Sequence, residues 1–224
     1  MRHHTPTSTT TPRRWTTHAA PWLLCLAMAM ASCSSDADAP YPSLITDFVM
    51  AVANGQGQLA TLITDNGNLL TVDNSVTGLP AGARVRAMCS YEPLAENHVQ
   101  VYTIQQVPVL RQLPGDMSVR RHPIGVAGVW HSGGFINMHL TPKTHGGVQS
   151  WAFTADSAVA NAAGGITHCI ALYHDQSADT EAYTGHLYAS ISPDSIATSF
   201  NDADSIRLSI ATYSGTQTWQ FTAR

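Results

Sequence analysis

The sequence predicts an all-β protein: a small five-stranded barrel of the oligonucleotide/oligosaccharide-binding type, followed by a β-sandwich. Three observations carry this. Apolar and polar residues alternate through most of the chain beyond residue 43, the period of a half-buried strand, while the helical period of 3.6 is almost absent. Charged residues make up only 12% of the 224, well below the usual proportion of about a quarter; Thr, Ser, Ala and Gly stand in their place. Turn signals, above all Asn-Gly and Gly-Gly, punctuate the alternating stretches at short intervals.

Residues 43–108 supply the barrel. Leu44 to Ala53 reads as a strand ended by Asn54-Gly55-Gln56-Gly57. Leu59 to Thr64 and Leu69 to Val72 flank Asp65-Asn66-Gly67-Asn68, the strongest local hairpin signal in the chain, because Asn and Gly tolerate the positive φ that such turns demand. After the turn at Gly78 to Gly82, Arg84 to Tyr91 alternates with Val85, Ala87, Cys89 and Tyr91 on one face. Pro93 stops it, and His98 to Val107 is the fifth strand. Five short antiparallel strands suit a barrel whose closure removes the exposed edges.

Residues 109–123, with Pro114-Gly115 and Pro123, read as a linker, and 124–224 as the sandwich. Its strands are Phe135 to Leu140, Val148 to Thr154, Ile166 to His174, Tyr183 to Ile191, Ser205 to Ile210 and Thr218 to Phe221. Ser157 to Gly165, rich in Ala, Asn and Gly, reads as a loop or one helical turn. Six strands with short turns argue two packed sheets.

The N-terminus carries an export signal. Residues 1–18 are polar and basic, and the thirteen residues from Ala19 to Ala31 carry no charge. That length is too short to span a bilayer and right for the apolar region of a signal peptide. It ends in Ala31-Ser32 before Cys33, so residues 1–32 are expected to be removed and Cys33 to carry acyl chains. Met30 stands at the third position before Cys33, where Leu is usual; the alternative is an ordinary secretory signal cut near Ala31. Residues 33–42, with Asp36 and Asp38 and little that is apolar, read as a flexible tether.

Charge excludes one class of partner. The chain has 11 Lys/Arg and 15 Asp/Glu. Without Arg2, Arg13 and Arg14 the mature part keeps 8 basic against 15 acidic residues, a formal charge of −7 with a single lysine, Lys143. No basic stripe is left for a phosphate backbone, so no nucleic-acid partner is expected. Cys89 and Cys169 are either disulfide-bonded or separately buried thiols; their place in different predicted domains favours the latter.

No catalytic constellation is legible. Eight histidines remain in the mature part, seven of them from His122 onward, but none stands at a zinc-site spacing, and the adjacent His168 and Cys169 face opposite sides of a strand. Scattered surface histidines, no metal and no cofactor are the expectation. His131-Ser132-Gly133-Gly134 reads as a turn, and Asp175, Asp179 and Glu181 as a solvated acidic loop. Trp151 with Phe153 and Trp219 with Phe221 share strand faces as core residues do. Trp130, in a Gly-rich stretch, is the one tryptophan expected to be exposed, and so the candidate ligand-binding residue.

Several features together resemble the NigD-like lipoproteins of Bacteroidetes, named for a protein of a bacteriocin locus. They are the lipoprotein signal, the Leu59–Val72 hairpin, the Arg84–Val107 strand pair, the Tyr183–Ile191 strand and the Ile206–Phe221 close. The resemblance implies the barrel, the sandwich and an unknown biochemical role, with no catalytic residues to carry over. The expectation is a non-enzymatic envelope lipoprotein, anchored in the outer membrane through Cys33, that binds an envelope protein or a glycan. Bacteriocin immunity and carbohydrate binding are the alternatives.

Overall fold

A computed structural model of the protein describes residues 42–223. The barrel comprises β1 (Ile45–Ala53), β2 (Leu59–Thr64), β3 (Leu69–Val72), β4 (Arg84–Pro93) and β5 (His98–Gln106), closed in the order β1-β2-β3-β5-β4. The expectation of all-antiparallel pairing fails at one place: β3 and β5 run parallel, Thr71 opposite His98 and Val72 opposite Val99. An odd number of strands cannot alternate direction all the way round a closed sheet. Val49, Ala51, Leu59, Leu62, Ala87, Cys89, Tyr91, Val99 and Val101 fill the interior.

The second half begins with β6 (Val109–Leu110), β7 (Gly125–Ser132), β8 (Phe135–Thr141), β9 (Lys143–Thr144) and β10 (Ser150–Ala160). It continues with β11 (Ile166–Asp175), β12 (Tyr183–Thr184), β13 (Leu187–Ile191), β14 (Ser205–Thr212) and β15 (Gly215–Thr222). Two four-stranded sheets, β6-β13-β8-β7 and β10-β11-β14-β15, share one apolar core, and β9 pairs with β12 apart from them. Ile136, Met138, Leu140 and Ile191 meet Phe153, Ile170, Leu172 and Leu208 there, all at most 2% exposed.

Four sequence readings are corrected in this half. The stretch 109–123 is not a free linker. β6 pairs parallel with β13, the Leu113 N–H donates to the Phe153 carbonyl at 2.8 Å, and the Phe153 N–H to that of Arg111 at 3.1 Å. Leu110 and Leu113, both buried, supply the apolar area that holds the stretch down. Next, β7 is a full edge strand, its alternation disguised by a bulge between Val126 and Gly128. The stretch expected to loop from Ser157 stays in β10 as far as Ala160, and the turn is made at Asn161, whose carboxamide oxygen accepts from the Ala163 and Gly165 amides. Last, the single strand expected over Tyr183–Ile191 is broken at Gly185-His186, so its two parts pair with different strands.

Candidate functional site

The alternation of β8 sends Ile136, Met138 and Leu140 into the sandwich core and Phe135, Asn137 and His139 to the opposite face. Tyr188 and Ser190 of β13 pair with His139 and Asn137 and join them there. The barrel sits on that face. Phe48 of β1 and Arg86 of β4 alternate with the inward-facing Val49 and Ala87, so they project outward and meet it.

Arg86 is the centre of this seam. It is 2% exposed, and its guanidinium forks onto both carboxylate oxygens of Asp65 in the β2–β3 turn. It also donates to Asn137 Oδ1 at 3.1 Å and lies over the Phe135 ring, 4.5 Å from its centroid. Asp65 accepts a further bond from the Ser132 hydroxyl. Asn137 in turn accepts from Ser190 Oγ at 2.7 Å and donates to Ser132 Oγ at 3.0 Å. Bidentate charge-assisted pairing of this kind is strong and geometrically demanding. The turn following Ser132 needs glycine: Gly133 has φ +60°, and a Cβ there would run into the Asp65 side chain.

Aromatic rings continue the seam. Phe48 meets Trp130 edge-on at 5.3 Å and Tyr188 at 5.8 Å. Tyr188 stacks on His139 at 4.3 Å, and His139 Nε2 lies 3.0 Å from His186 Nδ1. Burial lowers the His139 pKa first, and the neighbouring His186 lowers it further.

Two hollows meet along β1. One, of about 350 Å³, lies at the seam between Phe48, Asp65, Asn66, Trp130 and Ser132. The other, of about 310 Å³, opens at the barrel end between Ile45, Asn68, Leu70, Tyr91, Leu94 and His98. Asp47, Thr64 and Asn66 line both, so the two form one trough. Asp47 accepts a bond from the Tyr91 hydroxyl at 2.8 Å. Burial, then this bond and the Asp47 charge, push the Tyr91 pKa up; burial and then Asp47 push the Cys89 thiol up to about 12.

Trp130 is half-buried, one wall of the trough with its ring held by Phe48. Cys33, expected to carry the lipid, lies outside the described residues. Both Cys89 and Cys169 are free thiols, the first buried. Phe153 is core, while Trp151 and Trp219 are only partly buried, Trp151 stacked on His174 at 4.1 Å. His174 is no surface histidine. It is 3% exposed, bonded to the His122 carbonyl and to Gln149 Oε1 at 2.9 and 2.8 Å, and burial lowers its pKa. Among the described residues no three His, Cys, Asp or Glu side chains converge as metal ligands would. Sequence reasoning missed Arg86, Asp65 and Asp47, because each is a polar residue in an alternating strand or turn and only tertiary packing distinguishes it.

The acidic loop is also more than solvated charge. Asp179 accepts from Thr144 Oγ1, the His145 amide, Gln149 Nε2 and the Gly147 amide at 2.5–3.2 Å. These bonds, that of Thr144 foremost, hold its carboxyl well below the usual carboxylate range. A group with a depressed folded pKa adds stability that is full above its unfolded value, about 4, and is lost as pH falls from there through the folded value. Asp179→Asn should therefore lower the melting temperature at pH 7, and the gap to wild type should narrow below about pH 4. Melts at pH 7 and pH 3 with the same gap would contradict this.

No family model matches the chain, and no curated relative does. Among solved structures, the fold is similar to a NigD-like immunity protein from Bacteroides caccae, with a TM-score of 0.65, 25% identity, and 81% of this chain and 98% of that one covered. A protein from Parabacteroides distasonis described as toxin-related has a TM-score of 0.63 at 14% identity, covering 80% of this chain and 92% of that one. One from Bacteroides fragilis described as a lipoprotein has 0.56 at 9%, covering 81% and 98%. None of the three is described as an enzyme. The first of these matches covers four-fifths of this chain, and the chain is NigD-like in its fold.

Proposed function

We propose that this protein is an exported lipoprotein, anchored in the outer membrane by acyl chains on Cys33, that works by binding and not by catalysis. The observation that carries the reading is the trough. It is concave, about 310 and 350 Å³ in its two parts, and walled jointly by barrel and sandwich. A few convergent polar groups in a largely preformed hollow are what binding sites have in common. Arg86 and Asp65, paired within the barrel, reach across to Asn137 and Ser132 of the sandwich and fix the two walls relative to each other, so a partner meets a preorganised surface. Similarity to the Bacteroides fragilis protein described as a lipoprotein supports the anchor.

Two experiments test this. Cells labelled with an alkynyl fatty acid should tag the wild type and not Cys33→Ala; equal labelling of both ends the anchor claim. For binding, Asn66→Arg places a long side chain in the trough, and Gln217→Arg places one on the exposed far strand β15. A partner co-purified from detergent-solubilised membranes should be lost with the first and kept with the second. The reverse pattern contradicts the reading.

A second reading, protection against a bacteriocin, is favoured by the 25% identity to the NigD-like immunity protein. Deleting the gene and challenging cells with the bacteriocin made by the same strain separates the two. Unchanged sensitivity sinks the immunity role and leaves binding in place.

A further inference from the structure

The trough has a charge that nothing among the described residues answers. Of the groups lining it, Asp65 is neutralised by Arg86 and His98 lies 2.5 Å from Asp73. Asp47 alone has no cationic partner among the described residues; its one bond is from the neutral Tyr91 hydroxyl. It shares the inward face of β1 with Val49 and Ala51 and lies toward the start of the strand, at the barrel end, half-buried. A half-buried carboxylate keeps more of its attraction for a cation than one in bulk water, because the local dielectric is lower.

Apolar and polar side chains share the lining around it. Ile45 and Leu94 are 40% and 42% exposed, and Leu70 lines the same hollow. A half-buried carboxylate beside apolar side chains suits a group with an aliphatic stem and a cationic head, which covers the stem and delivers the charge. The exposed amide side chains of Asn66, Asn68 and Asn97, free of hydrogen bonds among the described residues, rim the same space with donors and acceptors for a peptide backbone. Beyond Asp47 the trough continues to Phe48 and Trp130, room for the residues that follow in an extended chain. The mature part, with 8 basic against 15 acidic residues, attracts a basic partner over a longer range.

From the reading of the trough as the partner site, we infer that its occupant is an extended basic peptide segment, with one Lys or Arg head on Asp47 and its stem between Ile45, Leu70 and Leu94. Around Asp47 the barrel sheet is closed and offers no free edge for strand addition, so recognition at that end runs through side chains and the asparagine rim.

Isothermal titration calorimetry on the full-length protein in mild detergent tests it. The probes are the pentapeptide Ala-Lys-Leu-Lys-Ala, its counterpart Ala-Glu-Leu-Glu-Ala, spermidine and chitotriose. The basic peptide should bind at least tenfold more tightly than the acidic one and more tightly than spermidine. Asp47→Asn should weaken it at least tenfold. Asp194→Asn, in a separate hollow beside the sandwich, should leave it unchanged. Asp47→Asn should melt within a few degrees of wild type, which separates loss of charge from loss of fold. Equal binding of both peptides, or no effect of Asp47→Asn in a folded protein, overturns the inference. Spermidine binding as tightly as the peptide makes this a free-amine site and overturns the peptide assignment. Chitotriose binding tighter than the peptide overturns it in favour of a glycan. If a co-purified partner is lost with Asn66→Arg while the basic peptide does not bind, this inference fails and the trough remains the partner site.

Discussion

Arg86→Ala is expected to destabilise the protein by about 3–5 kcal/mol, the cost of removing one partner from a buried ion pair. Arg86 is 2% exposed and the Asp65 side chain 15%, so the carboxylate left behind is poorly solvated. Asn137 Oδ1 loses a donor and Phe135 loses the cation over its ring in the same change. Removing both partners is a different matter. Arg86→Ala/Asp65→Ala should cost less than the sum of the single variants by about 1–3 kcal/mol, because no unpaired charge remains. Urea unfolding followed by tryptophan fluorescence reads this directly, since Trp130 stands in the seam. A loss below about 1 kcal/mol for Arg86→Ala, a value typical of surface pairs, would mean that the seam is hydrated and weak.

Phe153→Ala should cost about 3–5 kcal/mol, as large-to-small changes in closely packed cores do. Its side chain is wholly buried between the two sheets. Its backbone also receives the 111–113 stretch on the free side of β10. A cavity at this position should loosen both, so the Leu113 amide should exchange with solvent faster in the variant at equal global stability. Unchanged exchange at Leu113 would show that Leu110 and Leu113 hold the stretch by themselves.

How much of this was legible depended on how local the signal was. The Leu59–Thr64 and Leu69–Val72 strands have the bounds read from the sequence, because the Asn66-Gly67 turn and the alternation on either side are short-range facts. β7 was missed for the opposite reason. Gly125 and Gly128 weaken its strand pattern, the bulge shifts its alternation, and pairing with β8 makes it a strand. β6 is two residues long, and its pairing depends on β13, about eighty residues further on.

The site follows the same rule. Trp130 stood out because it lies beside His131 in a Gly-rich stretch and shares no apolar face with a second large ring. Its contact with Phe48 spans more than eighty positions and has no local trace. Arg86 looked like any outward residue of a half-buried strand; that its outward face is covered follows only from where the barrel sits. One clue was present. Asn137 interrupts Ile136 and Met138 in an apolar stretch, and a polar residue there signals that the second face of β8 also has a partner.

The most direct test of the central claim, that a partner binds along the trough, is crosslinking in living cells. A photo-activatable amino acid is placed at position 66, which lines both hollows, or at position 148, which is 85% exposed and lines neither. One discrete adduct is expected from position 66, abolished by Asp47→Asn, and none from position 148. An adduct from position 148 with none from position 66 would contradict it.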